Sequence, residues 1–293
     1  TKYLDGDGNG WDEAATLSAA EGEQTNVKVA SIENGIFAVW KDARNGNADI
    51  FGQVLLYDGT ILGEENGFEV SVKAHDQQNA VLTYNPENED VLVCWQDFEN
   101  GADFDVLCRI INSQTLITDD EINMAVFTGS GQTNPFVYTS LDGTFMAVWE
   151  DSRLSLATDL FYQEIKLDGQ LAFEEGGTII CDAPFKQEFP RIDMHSHNNN
   201  KYLVYWLDSR SSGKEDLINL YVQSRTIEGG QGCGGGDINF DGSLDVLDIV
   251  GIVSYILGDI EFTDDQITEA DINCDLSIDV LDIVGIVTII LTP

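Results

Sequence analysis

The chain has 293 residues, 43% of them hydrophobic, which is long enough for two domains and apolar enough for a packed core. Fourteen Lys and Arg against 52 Asp and Glu give a formal charge of -38, a field that repels phosphate backbones and anionic lipid and so excludes nucleic acid and acidic membranes as partners. No apolar run reaches the roughly 20 residues of a membrane span, and the five cysteines show no CxxC-type zinc spacing.

The sequence opens at Thr1 with neither Met nor leader and is read as a mature or trimmed product. Asp5-Gly6-Asp7-Gly8-Asn9-Gly10 looks like the first half of a calcium loop, but Thr16 stands where the closing acid would be, and the segment also aligns with ordinary Asp-Gly turns.

Four copies of one pattern follow, beginning near Phe37, Val91, Phe145 and Tyr202, with Trp40, Trp95, Trp149 and Trp206 spaced 54 to 57 residues apart. Each copy has two β-branched and aromatic runs around a polar turn and closes in a turn such as Tyr57-Asp58-Gly59 or Leu167-Asp168-Gly169, which predicts a hairpin. Another short strand precedes each later hairpin (77–84, 132–138, 187–193), and a fourth follows each of the first three (67–72, 122–128, 177–182). Four strands per repeat predict a mainly β fold, a four-bladed β-propeller. The last repeat lacks its fourth strand, so a strand near Ala14 to Ala19 is expected to complete that blade and remove the open edge.

The repeats resemble propeller repeats of secreted, sialidase-like proteins over residues 15 to 228, although the aspartate box of true sialidases, Ser-x-Asp-x-Gly-x-Thr-Trp, is absent. Their Trp-x-Asp-x-Arg signature (Asp42/Arg44, Asp151/Arg153, Asp208/Arg210) is expected to be structural, an ion pair tying a turn below a packed Trp. The second repeat has Glu99 in place of the Arg. No nucleophile elbow, phosphate loop or dinucleotide fingerprint occurs, and His195-Ser196-His197, in a polar stretch, is read as a solvent-facing loop.

A glycine-rich linker, 229–236, separates the propeller (1–228) from a C-terminal module (237–293) with a small α content. Residues 237–248 and 271–282 read as paired twelve-residue calcium loops at an offset of 34. A hard cation wants six to eight oxygens, drawn from alternate loop positions and the last. The first loop offers Asp237, Asn239, Asp241, the Ser243 carbonyl, Asp245 and Asp248; the second offers Asp271, Asn273, Asp275, the Ser277 carbonyl, Asp279 and Asp282.

An aspartate rather than glutamate at the last position, with one helix per loop, resembles a type I dockerin. The helix after each loop is apolar on nearly every side, more than so small a module can bury. The resemblance implies that Val246 and Leu247, and equally Val280 and Leu281, face a cohesin-like partner. Leu276 departs from the loop glycine. Cys233 and Cys274 are a possible disulfide stapling this module, Cys94 and Cys108 form either a pair or two buried thiols, and Cys181 is left over.

These readings combine into an extracellular, non-catalytic assembly protein that loads two Ca2+ ions and docks onto a protein partner. That partner is a cohesin-like domain, or the propeller of the next copy in a head-to-tail filament. The alternatives are a dockerin-borne carbohydrate-active enzyme, or a glycan-binding propeller on a cohesin scaffold, with a polysaccharide as partner. A pair of close carboxylates in the centre of the propeller would favour the enzyme.

Overall fold

The computed structural model describes residues 15–140, 142–154, 157–166, 169–194, 201–210, 218–226, 236–240, 244–270 and 278–291. Two compact units divide the chain, Thr1–Ile192 with Val204–Val222 and Asp193–Leu203 with Gln223–Pro293.

Each sequence repeat folds as one antiparallel sheet. The first holds β1 (Gln24–Ile32), β2 (Gly35–Asp42), β3 (Asp49–Leu56), β4 (Ile61–Leu62) and β5 (Phe68–Ser71), with β4 and β5 both paired to β3. The second runs β6 (Gln77–Asn85), β7 (Asp90–Asp97), β8 (Asp105–Asn112) and β9 (Ile122–Ala125). The third runs β10 (Gln132–Thr139), β11 (Phe145–Asp151), β12 (Asp159–Ile165) and β13 (Thr178–Cys181). The fourth runs β14 (Gln187–Met194), β15 (Lys201–Asp208) and β16 (Asn219–Thr226). The protein is mainly β, with three helices described after the sheets.

The middle strands read as continuous apolar runs because both of their faces are buried. Along β7, Val91, Val93 and Trp95 join a core with Phe37, Val39 and Ile50 of the first sheet, whereas Leu92 and Cys94 join one with Phe145, Ala147 and Trp149 of the third. The period of two thus stacks three sheets face to face. Their first strands, β1, β6 and β10, lie side by side. Directly opposed on β7 and β8, Cys94 and Cys108 form a disulfide, and Cys181 is a buried free thiol.

The expected closing strand is not seen. Residues 15–20 form no strand, and β16 has no second neighbour among the described residues. The segment leans on the first sheet instead: Ala19 N donates to Asn66 Oδ1 (2.7 Å) and Arg44 to Ser18 Oγ (3.4 Å). Val27 and Val29 of β1 are accordingly 60% and 56% exposed, whereas the matching Ala80, Val137 and Ile192 are buried. Leu220 and Val222 of β16 are exposed in the same way, against buried Leu160 and Tyr162 of β12.

The Trp-x-Asp signature is a buried clamp. The four indole N–H groups donate to Asp42, Asp97, Asp151 and Asp208 at 2.8 to 3.1 Å. The other oxygen of each carboxylate accepts the backbone N–H two residues on, at 2.7 to 2.9 Å. Arg44, Arg153 and Arg210 close their clamps at 2.5 to 2.6 Å and lie over the Phe51, Phe161 and Tyr221 rings. Burial pushes the Asp42 and Asp208 carboxyls up, but the hydrogen bonds from Arg and Trp outweigh it and hold both below the usual carboxylate range.

In the second repeat, where Glu99 replaces the Arg, Lys73 supplies the cation from the link before β6, 3.1 Å from Asp97 and 2.9 Å from both Glu99 and Glu121. Burial alone would lower the Lys73 pKa; the surrounding carboxylates outweigh it and raise it above the ordinary value.

The C-terminal helices are α1 (Val246–Ile256), α2 (Asp264–Ala270) and α3 (Val280–Leu291). Asp245 caps α1 in a capping box with Asp248. Their small core is Ile238, Ile252, Ala270 and Ile286. Gly251 permits it, since a Cβ there would sit 2.2 Å from Ile238 Cδ1. No helix among the described residues is long and apolar enough to cross a membrane.

Replacing Lys73 strands the Asp97 carboxylate, which is 1% exposed. Lys73→Met should therefore cost about 3 kcal/mol in urea unfolding, and Lys73→Arg should recover most of it. If Lys73→Met unfolds like the parent, the cation does not hold this clamp.

Candidate functional site

The first strand of each of the first three sheets carries a β-bulge, at Thr25/Lys28, Gln78/Val81 and Thr133/Phe136. Asn26, Asn79 and Asn134 occupy these bulges with φ of 54°, 53° and 50°, the left-handed region that Asn tolerates. The fourth repeat puts Phe189 in the same conformation, φ 55°, and the residue is 50% exposed. These four residues, with Lys28 and Arg191, line a cavity of about 210 Å³.

Behind this wall lie the residues between Trp and Asp in the clamp motif. Gln96 Oε1 accepts from Asn79 Nδ2 (2.5 Å) and Asn134 N (3.2 Å). Glu150 Oε1 accepts from Asn134 Nδ2 (2.9 Å) and Phe189 N (2.7 Å), and the residue is 4% exposed. Burial, together with the charge of nearby Glu188, holds the Glu150 carboxyl above the usual range despite these donors. Lys41 and Leu207 occupy the corresponding positions in the first and fourth repeats. The Asp and Arg of this motif are named from the sequence, and Glu150 is not. The available signal was that this position, Lys41, Gln96, Glu150 and Leu207 in turn, varies inside a repeated motif.

In the C-terminal module, Asp248 and Asp282 are fully buried at the foot of α1 and α3. Asp248 Oδ2 accepts the Asp245 N–H (2.9 Å), and Asp282 Oδ2 accepts the Asp279 N–H (2.8 Å). Among the described residues nothing donates to the buried Asp248 Oδ1, which leaves that oxygen open to a cation. Asp245 Oδ1 accepts from Leu247 N (2.7 Å), Asp237 is half-buried and Asn239 exposed. This donor set of hard oxygens fits Ca2+.

Asp241, Ser243, Asp271, Asn273, Asp275 and Ser277 lie outside the described residues, as do Cys233, Cys274, Asp5 to Gly10 and His195 to His197. Among the described residues no three metal-binding side chains converge. Val246, Leu247 and Val280 are 61 to 63% exposed, and the side chain of Leu281 is not among those described.

Residues 235–290 match the Dockerin type I domain, which supports a C-terminal dockerin module, a calcium-binding class of domain with a cohesin as partner. No curated protein matches the chain in sequence. Among solved structures, an endo-arabinase from Bacteroides thetaiotaomicron is 12% identical over 76% of this chain and 82% of its own, with a TM-score of 0.46. An α-L-arabinanase from Penicillium chrysogenum, complexed with arabinobiose, is 12% identical over 71% and 65%, TM-score 0.47. A GH93 α-L-arabinofuranosidase from Fusarium graminearum is 10% identical over 71% and 65%, TM-score 0.46. The similar structures are glycoside hydrolases, and with that finding the expectation of a non-catalytic, filament-forming assembly protein is withdrawn.

The raised carboxyl fixes a pH signature. Because the folded state binds the Glu150 proton more tightly than the unfolded state, its stability cost is absent at low pH and grows as pH rises from the unfolded through the folded pKa. Glu150→Gln keeps the acceptor for Asn134 and Phe189, so its melting temperature should gain on the parent as the pH rises above about 4. A pH-independent difference would show that Glu150 is not perturbed.

Proposed function

We propose that the chain is a carbohydrate-active enzyme carried by a dockerin: the β unit cleaves a glycan at the bulge-lined cavity, and the C-terminal module holds the protein to a cohesin. The observation that carries the glycan reading is Phe189. An aromatic half in solvent, in a backbone region that costs about 1 kcal/mol outside Gly and Asn, stands where three repeats keep Asn. It offers an apolar face to a sugar ring, with amide donors and acceptors around it. Glycoside cleavage needs one protonated and one ionised carboxyl. Glu150, whose protonated form burial favours, is assigned as the acid that donates to the leaving glycosidic oxygen from behind Asn134 and Phe189, and Glu188 as the base that takes the proton of the attacking water, whose oxygen bonds the anomeric carbon as the C–O bond breaks.

The four sheets are read as blades of one propeller. The module takes Ca2+ through Asp237, Asn239, Asp241, the Ser243 carbonyl, Asp245 and Asp248, and through Asp271, Asn273, Asp275, the Ser277 carbonyl, Asp279 and Asp282. Calcium would neutralise carboxylates that otherwise repel and so organise the loops below the exposed Val246, Leu247 and Val280. The Cys94–Cys108 disulfide supports an oxidising, extracellular setting.

Hydrolysis of a polysaccharide panel tests the catalytic half. Glu150→Gln should lower turnover at least about 100-fold with binding retained, and Phe189→Asn should weaken binding while raising the melting temperature. Full activity in Glu150→Gln would end its assignment as the acid. For the docking half, an immobilised cohesin should capture the chain in calcium and release it in chelator, and Asp248→Ala with Asp282→Ala should not be captured. Capture that survives chelation would remove calcium from the account.

A further inference from the structure

The cavity is lined by cations in a chain that has few. Among the described residues, Arg44, Lys73, Arg109, Arg153 and Arg210 all reach carboxylates. Lys28 and Arg191, which face the cavity together, make no ion pair among the described residues, although the chain has 52 acidic residues to draw on. The Arg191 guanidinium donates to the Pro190 carbonyl (2.7 Å) and lies over the Phe136 ring (5.0 Å), which holds it in place without neutralising it. Lys28 is exposed. Lys41, at the first-repeat counterpart of Gln96 and Glu150, is likewise without an ion pair among the described residues. The residues that line the cavity include no carboxylate; the Glu150 carboxyl lies behind Asn134 and Phe189, hydrogen-bonded to both.

A neutral sugar has no use for two uncompensated cations beside an aromatic and three amides. Their charge is an asset only to a ligand that brings an anion, where charge-assisted hydrogen bonds are about twice as strong as neutral ones. The -38 charge of the chain makes the local reversal of sign more telling. We infer that the cavity takes an anionic saccharide, a uronate or a sulfate ester, with Lys28 and Arg191 reading the acidic group. This rests on the glycan reading above and adds the class of sugar.

Calorimetry on the full chain in calcium tests it with three probes: tetragalacturonate, its methyl ester, and a sulfated galactan tetrasaccharide. At least one anionic probe should bind about tenfold or more tightly than the neutral ester, and which one does separates carboxylate from sulfate. Lys28→Gln and Arg191→Gln should each erase most of that preference without changing affinity for the ester. Lys28→Gln is the variant free of folding effects, because the side chain is exposed. If the ester binds as tightly as both anions, or the preference survives in both variants, as it would if calcium bridged the anion to acidic surface, the inference is wrong and the glycan reading stands. If none of the probes and no polysaccharide of the hydrolysis panel binds, the glycan reading fails and takes this inference with it.

Discussion

A carboxylate buried at the end of each repeat's second strand is the constraint on which the β unit depends. Removing an Asp from water is expensive unless its lone pairs are filled. Here one oxygen takes the indole N–H of the Trp two residues before it and the other takes the backbone N–H two residues after it. A cation then cancels the charge, and in three repeats the same guanidinium stacks on an aromatic of the next strand. One side chain thereby fixes the Trp orientation, the path of the turn and the position of the following strand. The second repeat shows which part of this is indispensable: the guanidinium is replaced by Lys73 from a different segment, so the positive charge is required and its origin is not.

Regularity at one end of the strands frees the other end to vary. The residue between Trp and Asp points away from the clamp, and Lys41, Gln96, Glu150 and Leu207 share no chemistry. The bulge opposite varies once, from Asn to Phe189. Both departures meet at the same hydrogen bond, Phe189 N to Glu150. A buried carboxyl and an aromatic in left-handed backbone each reduce stability, and the proposed centre rests on their meeting at this hydrogen bond.

Much of the fold was legible in the sequence. Trp spacing and runs of β-branched residues located the sheets, because a strand buried on both faces leaves an unmistakable apolar run. The dockerin module was legible through oxygen donors at alternate positions, and the burial of Asp248 is where the structure adds to that reading. Pairing of Cys94 with Cys108 needed the register of β7 and β8, which composition leaves open. The closing strand was expected from alignment alone, yet residues 15–20 lean on Asn66 and Arg44, contacts between segments that no local pattern encodes. Glu150 was hidden for a similar reason: 52 acidic residues crowd the sequence, and its contacts with Asn134 and Phe189 come from other strands.

The most direct test of a glycan-cleaving centre at the bulges is a structure of the full-length Glu150→Gln chain with a bound oligosaccharide. The sugar should lie with one ring against Phe189 and its glycosidic oxygen within hydrogen-bonding reach of residue 150. Sugar bound elsewhere, with the cavity beside Asn134 and Phe189 left to solvent, would contradict the assignment.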